Sequence, residues 1–180
     1  MKITSPDEAR AFAAEAHKNQ KYGDGPYTDH LDEVVAVLQE VGWDDPAFKM
    51  AGYLHDILED TPVTSQDLWD TRCPAPVVCA VMFCTDEPGP NRKTRKAATY
   101  ERVRQDLARN LPCYDMAAIV KWADRIANMR ACTREGKTSL LEMYRKESPA
   151  FMEVYIPQHE PLLTYPRWQA LVQAYKEALA

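Results

Sequence analysis

Apolar residues recur at three- and four-residue intervals along nearly the whole chain, and the interruptions fall at proline, glycine and capping residues. That interval is the period of an α-helix, whereas a strand facing water on one side would need strict alternation. Ser5-Pro6-Asp7-Glu8 reads as a helix start, with Ser as N-cap, Pro at the first helical position and acids in the first turn. Ala9, Phe12, Ala13 and Ala16 follow, up to a turn at Gly23-Asp24-Gly25-Pro26. Leu31, Val34, Val35 and Leu38 mark a second helix that stops near Gly42. Asp45-Pro46 opens a third, carrying Met50, Leu54, Ile57 and Leu58 as far as Thr61-Pro62. Thr64 caps a short fourth, residues 76–85 form an apolar fifth, and a basic helix spans roughly 94–109. Tyr114–Cys132, a segment near 138–147 and a final amphipathic stretch with Trp168, Leu171, Val172, Tyr175 and Leu179 complete the pattern. The expected fold is all-α: a single compact helical bundle over residues 1–180, with a core of about 5–150 and a C-terminal extension of about 150–180. Pro149, Pro157, Pro161 and Pro166 are expected to break that extension into short pieces that close over the core.

The chain is long enough to bury a core without disulfides. Cys73, Cys79, Cys84, Cys113 and Cys132 are odd in number and form no CxxC pair, so they read as core fillers of a reducing compartment. No apolar run approaches the ~20 residues of a membrane span, and the N-terminus has no hydrophobic signal region. The cytoplasm is the expected location. A formal net charge of −5 argues against a nucleic-acid or membrane-surface partner. One segment departs from that average: Asn91–Arg104 holds six basic residues and one acidic residue. It is either a solvated helix start or a socket for phosphates.

The hexapeptide His55-Asp56-Ile57-Leu58-Glu59-Asp60 places a histidine and three carboxylates inside an apolar helix. Burying such charges costs several kcal/mol each unless they are paired or hold a metal. On one continuous helix His55 and Glu59 would stack, as would Asp56 and Asp60. Lys121, Asp124, Arg125 and Asn128 form a second polar stripe at the same spacing, and His30 opens the second helix. His30, His55, Asp56 and Asp124 together make a mixed nitrogen and oxygen donor set. Such a set suits a borderline-to-hard divalent ion with positions left for water, and it contains no thiolate of the structural-zinc kind. The alternative is a satisfied His55–Asp56 core pair beside an ordinary Asp124–Arg125 ion pair.

The ordered set His30 … His55-Asp56 … Asp124 resembles the signature of HD-domain metal-dependent phosphohydrolases. The words FAAEAHKNQKYGDGPYTDHLDEVVAVL, AGYLHDILEDT, NRKTRKAATY and VKWADRIANMR resemble the hydrolase domain of the RelA/SpoT family, and its small stand-alone alarmone hydrolases most closely. The resemblance covers roughly residues 5–150. It implies one Mn²⁺ per chain held by His30, His55, Asp56 and Asp124, with Glu59 and Asp60 as the acidic pair beside the water and Asn128 helping to place them. The implied reaction is hydrolysis of the 3′-pyrophosphate of (p)ppGpp or (p)ppApp, releasing pyrophosphate and a 5′-di- or triphosphate nucleotide. Glu59 is the candidate to orient or deprotonate the water, with Asp60 as support. A polyphosphate substrate also needs cations that are not metal ligands. Lys21, Arg92, Lys93, Arg95 and Lys96 are the candidates, and Tyr144 is a candidate for stacking on the base or reaching a phosphate.

Tyr22 stands where the family usually has a basic residue, which leaves guanine or adenine preference open. Leu31 replaces the proline that commonly follows the first histidine, and His17 reads as structural. Two other readings compete: an HD phosphohydrolase of a different nucleotide, and a catalytically silent nucleotide-binding regulator. Oligomeric state is not legible.

Overall fold

The computed structural model describes residues 1–107, 113–156 and 160–180. Its elements in chain order are α1 (Pro6–Ala16), β1 (Lys21–Tyr22), β2 (Gly25–Pro26), α2 (Thr28–Glu40), α3 (Pro46–Leu54), α4 (Ile57–Asp60), α5 (Ser65–Asp70), α6 (Ala75–Cys84), α7 (Arg92–Leu107), α8 (Tyr114–Arg134), α9 (Thr138–Val154), α10 (Glu160–Thr164) and α11 (Pro166–Leu179). The fold is all-α; among the described residues the exception is a two-residue antiparallel hairpin pairing Lys21 with Pro26 and Tyr22 with Gly25. Gly23 turns that hairpin at φ +59°, a conformation that side chains with a Cβ seldom adopt.

α8 is the axis of the molecule and packs against α2, α3, α6, α9 and α11. A helix packed against so many neighbours must be apolar over most of its surface, the stripe of Lys121, Asp124, Arg125 and Asn128 being the exception. Between Tyr114 and Cys132 it buries Ala117, Ala118, Ile119, Val120, Ala123, Ile126, Ala127 and Met129. Its alanines leave room for neighbouring backbones. α3 comes equally close to α2: a Cβ on Gly52 would lie 3.1 Å from both Leu38 Cδ1 and Val35 Cγ2. That approach carries the end of α3 up to the start of α2, where His30 lies.

The caps read from the sequence are present. Ser5 accepts a hydrogen bond from the Glu8 amide with Pro6 at the first helical position, and Thr64 and Asp67 form a reciprocal capping box. Three expectations need correction. The helix drawn through Leu58 is interrupted at His55-Asp56 and resumes as α4. There the His55 ring nitrogen Nδ1 donates to the Gly52 carbonyl at 2.8 Å, so a side chain competes for a backbone acceptor where the helix stops. The basic helix begins at Arg92, earlier than expected, and the expected end at residue 109 lies outside the described residues.

The third correction concerns α9, which runs through Pro149 to Val154. A proline inside a helix costs about 3 kcal/mol. Beyond it, Phe151 and Val154 are buried in the core, each burial contributing about 1.5–3 kcal/mol, so continuing the helix is favoured over stopping it. Pro157 lies outside the described residues. The segment after α9 is fastened to α8: the Tyr114 hydroxyl donates to the Val154 carbonyl and Trp122 Nε1 donates to the Tyr155 carbonyl at 2.8 Å. Trp122 also meets Phe151, Trp168 and Tyr175, with ring centroids 4.7–5.8 Å apart. No helix among the described residues is long and apolar enough to cross a membrane.

Candidate metal and phosphate site

His30 sits in the first turn of α2, His55 and Asp56 in the break between α3 and α4, and Asp124 midway along α8. The structure brings all four together. His30 Nε2 lies 3.3 Å from Asp124 Oδ1 and 3.7 Å from Asp56 Oδ2. His55 Nε2 lies 3.0 Å from Asp56 Oδ2 and 3.6 Å from Asp124 Oδ1. Donor atoms of His30, His55 and Asp56 all fall within 4.8 Å of one another. A divalent ion with ligands at about 2.1 Å separates adjacent ligands by about 3.0 Å and opposed ones by about 4.2 Å, so these spacings match a shared ion.

The hydrogen bonding of His55 makes the same point. A carbonyl can only accept, so Nδ1 carries the proton and, in the neutral ring, Nε2 presents a lone pair to two carboxylates. Nε2 is buried and has no hydrogen-bond partner among the described residues. Lone pair facing carboxylate is repulsive unless a cation lies between them. With a proton as that cation, burial pulls the His55 pKa down but the Asp56 and Asp124 charges prevail and hold it at about 10. Asp56 and Asp124 are correspondingly held well below the carboxylate range: burial opposes this, but His55 and His30 favour it at Asp56, and Lys121 favours it first at Asp124. A divalent ion replaces the proton with a stronger bond to the same atoms. The donor set therefore fits a divalent metal.

Beside this cluster lies a cavity of about 230 Å³ lined by Glu59, Asp60, Asn128 and Tyr144 as well as by His30, Asp56 and Asp124. Glu59 accepts from the Asp86 amide at 3.1 Å, and burial with the Asp86 charge raises its pKa. Burial, then Asp56, raises that of Asp60. Because of the break before α4, these two acids are placed by a separate helical turn and not by the continuous stack expected from spacing. Asn128 Nδ2 donates to Asp124 Oδ1 at 2.6 Å, and its Oδ1 accepts from the Tyr22 hydroxyl at 3.2 Å. Two guanidiniums lie near the Tyr144 ring, Arg92 at 5.5 Å and Arg125 at 4.9 Å from its centroid.

The basic candidates divide. Arg92, Arg95 and Lys96 line the cavity, but Lys21 and Lys93 are exposed and outside it. Helix geometry accounts for Lys93, since positions 92, 95 and 96 share a face and 93 is turned about 100° away. Strand alternation accounts for Lys21, since Tyr22 takes the inward position. We therefore expect Arg95→Ala to raise KM for a polyphosphate substrate about tenfold, the value of one charge-assisted hydrogen bond, and Lys93→Ala to leave it unchanged. Steady-state kinetics on both variants checks this; a shift with Lys93→Ala alone would reverse the assignment.

Three side chains at the site were not singled out for a role. Lys121 is buried with Nζ 3.5 Å from Asp124 Oδ2. Asp86 pairs with Lys96 at 2.7 Å. The Tyr27 hydroxyl donates to Asp56 Oδ2 at 2.6 Å and reaches Asp60 Oδ2 at 3.2 Å. The Tyr27 ring stacks on His17 at 4.5 Å, and His17 is held by Gln20 at 2.7 Å, so the structural reading of His17 becomes a support for Tyr27. The signal available in the sequence was position: Tyr27 lies one turn before His30, and Lys121 one turn before Asp124. Tyr27→Phe is expected to weaken divalent-ion binding about 10- to 100-fold, as loss of a group that orients a ligand does, with little change in Tm. Metal titration by calorimetry tests it, and unaltered affinity would show the hydroxyl to be idle.

The geometry defines a class. A family model described as an HD domain matches residues 9–151, and the chain belongs to that family. It is 36% identical over 132 residues to the guanosine-3′,5′-bis(diphosphate) 3′-pyrophosphohydrolase MESH1 of Danio rerio, covering 69% of each chain. With the Xenopus tropicalis protein of the same name, identity is 34% over 136 residues and 72% of each chain. The GTP pyrophosphokinase of Streptomyces coelicolor is 32% identical over 84% of this chain, a stretch equal to only 17% of that enzyme. A solved structure described as a metazoan ortholog of SpoT that hydrolyzes ppGpp shares the fold, with a TM-score of 0.69, 19% identity and coverage of 98% of this chain and 97% of that one.

Proposed function

We propose that this protein hydrolyses the 3′-pyrophosphate of (p)ppGpp, or of (p)ppApp, with one Mn²⁺ held by His30, His55, Asp56 and Asp124. The observation that carries this reading is the meeting of two imidazoles and two carboxylates, at distances of 3.0–3.7 Å, beside a cavity that also presents arginines and lysines. The pyrophosphohydrolases at 34–36% identity support the substrate class. Residues 1–180 are read as one hydrolase unit acting on a cytoplasmic nucleotide.

When bound, the ion supplies Lewis acidity and a lowered water pKa. The remaining work belongs to side chains. Glu59, whose pKa is raised by burial and by the Asp86 charge and which is therefore a stronger base than an exposed glutamate, accepts the proton of the water that attacks the phosphorus attached to O3′. Asp60 and Asn128 hold the orientation of that water and of Asp124. The bond from O3′ to phosphorus breaks, the 3′ oxygen takes up a proton, and pyrophosphate leaves. Arg92, Arg95 and Lys96 neutralise phosphate oxygens, and Tyr144 offers a ring to the base.

The test is incubation of the purified, Mn²⁺-loaded protein with ppGpp, pppGpp, ppApp and ordinary nucleotides, with products resolved by mass. Pyrophosphate together with GDP, GTP or ADP is expected. Orthophosphate alone would assign a different HD phosphohydrolase, and binding with no turnover of any nucleotide would leave a regulator.

A further inference from the structure

We propose that Lys121 is a catalytic residue, donating from Nζ to a non-bridging oxygen of the phosphoryl group under attack; this rests on the pyrophosphohydrolase reading above. Its placement is unusual for a structural counter-ion. The side chain is 6% exposed, and its one ion pair among the described residues is to Asp124 Oδ2 at 3.5 Å. A closed ammonium–carboxylate pair would sit at about 2.7–2.9 Å. An ammonium has three protons to donate, yet Lys121 makes no hydrogen bond among the described residues, although its carboxylate neighbours include Asp56 and Asp86. Holding a cation largely away from water without closing its bonds is costly. That cost has a return only if a further acceptor arrives, and Lys121 lines the cavity where one would.

The other cations of the cavity are largely engaged. Arg92 grips Glu147 through two bonds of 2.9 Å. Arg125 donates to the Tyr144 carbonyl at 2.8 Å and reaches Glu147 at 3.4 Å. Lys96 lies 2.7 Å from Asp86. Arg95 is loosely held, 3.9 Å from Glu59, but it is 38% exposed. Lys121 alone of these is both buried and loosely held, and it adjoins the donor cluster through Asp124. A positive charge fixed there, on a side chain largely shielded from bulk water, needs little reorganisation as negative charge builds on the phosphoryl oxygens, and that is the condition under which electrostatic stabilisation is largest.

The experiment compares wild type, Lys121→Gln and Lys121→Met, all Mn²⁺-loaded, by metal content, thermal unfolding, steady-state kinetics and calorimetric binding of inorganic pyrophosphate. We expect metal retained at the wild-type level or above, kcat lowered about 10²- to 10³-fold with KM little changed, and pyrophosphate bound about tenfold more weakly, equal to one charge-assisted bond. A structural counter-ion would give the opposite pattern: lower Tm or lower metal content, with pyrophosphate affinity unchanged and kcat within a few-fold per metal-loaded protein. That result overturns the proposal. A crystal structure of wild type with Mn²⁺ and pyrophosphate decides it even if both variants fail to fold, since Nζ beyond hydrogen-bond reach of every pyrophosphate oxygen also overturns it. Wild-type protein that binds pyrophosphate but turns over no 3′-pyrophosphate would instead overturn the functional reading, and the Nζ contact would still judge Lys121.

Discussion

Asp124→Ala is expected to lose both the divalent ion and all measurable hydrolysis of the 3′-pyrophosphate. Asp124 contributes the α8 side of the cluster, 3.3 Å from His30 Nε2 and 3.6 Å from His55 Nε2. Without it, the remaining donors come only from α2 and the α3–α4 break and leave one side of the ion open. The substitution has a second effect: Lys121 becomes a buried ammonium whose closest carboxylate is gone, and removing one member of such a pair costs about 3–5 kcal/mol. Asp124→Asn removes the same charge but keeps the side-chain volume, so it separates the loss of charge from the cavity that alanine leaves. Metal analysis after gel filtration and thermal unfolding on both variants would check this. Normal metal content in Asp124→Ala would remove Asp124 from the ligand set.

Glu59→Gln is expected to keep the metal and lower kcat about 10²- to 10⁴-fold, the range for loss of a positioned general base. The pH profile adds a sign. Glu59 must be ionised to accept a proton, and burial beside Asp86 raises its pKa above the ordinary carboxylate value. Activity therefore falls as pH drops through that raised value, at a higher pH than an exposed glutamate would set. In Glu59→Gln that acid limb should disappear from the residual rate. A variant that retains the limb would assign it to another group, with Asp60 first in line because its pKa is raised as well.

Much of the architecture was legible because one periodicity dominates the chain. The caps at Ser5 and Thr64 need only local hydrogen bonds, and local chemistry is what a single sequence displays. The break at His55-Asp56 was not legible. It depends on a ring nitrogen finding the Gly52 carbonyl and on α3 docking against α2, both of which are tertiary events. The same limit applies to Pro149, whose local preference for a helix end is overruled by the burial of Phe151 and Val154. At the site, residue types and order were enough to nominate His30, His55, Asp56 and Asp124. Direction was not: Lys93 and Arg95 look alike in the sequence, and only the helical phase of α7 against the cavity separates them. Tyr27 escaped notice because a tyrosine beside a turn has many uses, and its hydroxyl acquires one only where Asp56 comes within reach.

Trp122 and Asp124 lie two positions apart on α8. The indole is locked among Phe151, Trp168 and Tyr175, and the carboxylate faces the histidines. The rotational setting of a single rod thus fixes both, so the aromatic clasp at its back acts as the brace that aims the carboxylate at its front. Changes far out in the last helix would be felt at the cluster as a slight roll of α8, altering ion affinity without touching any donor.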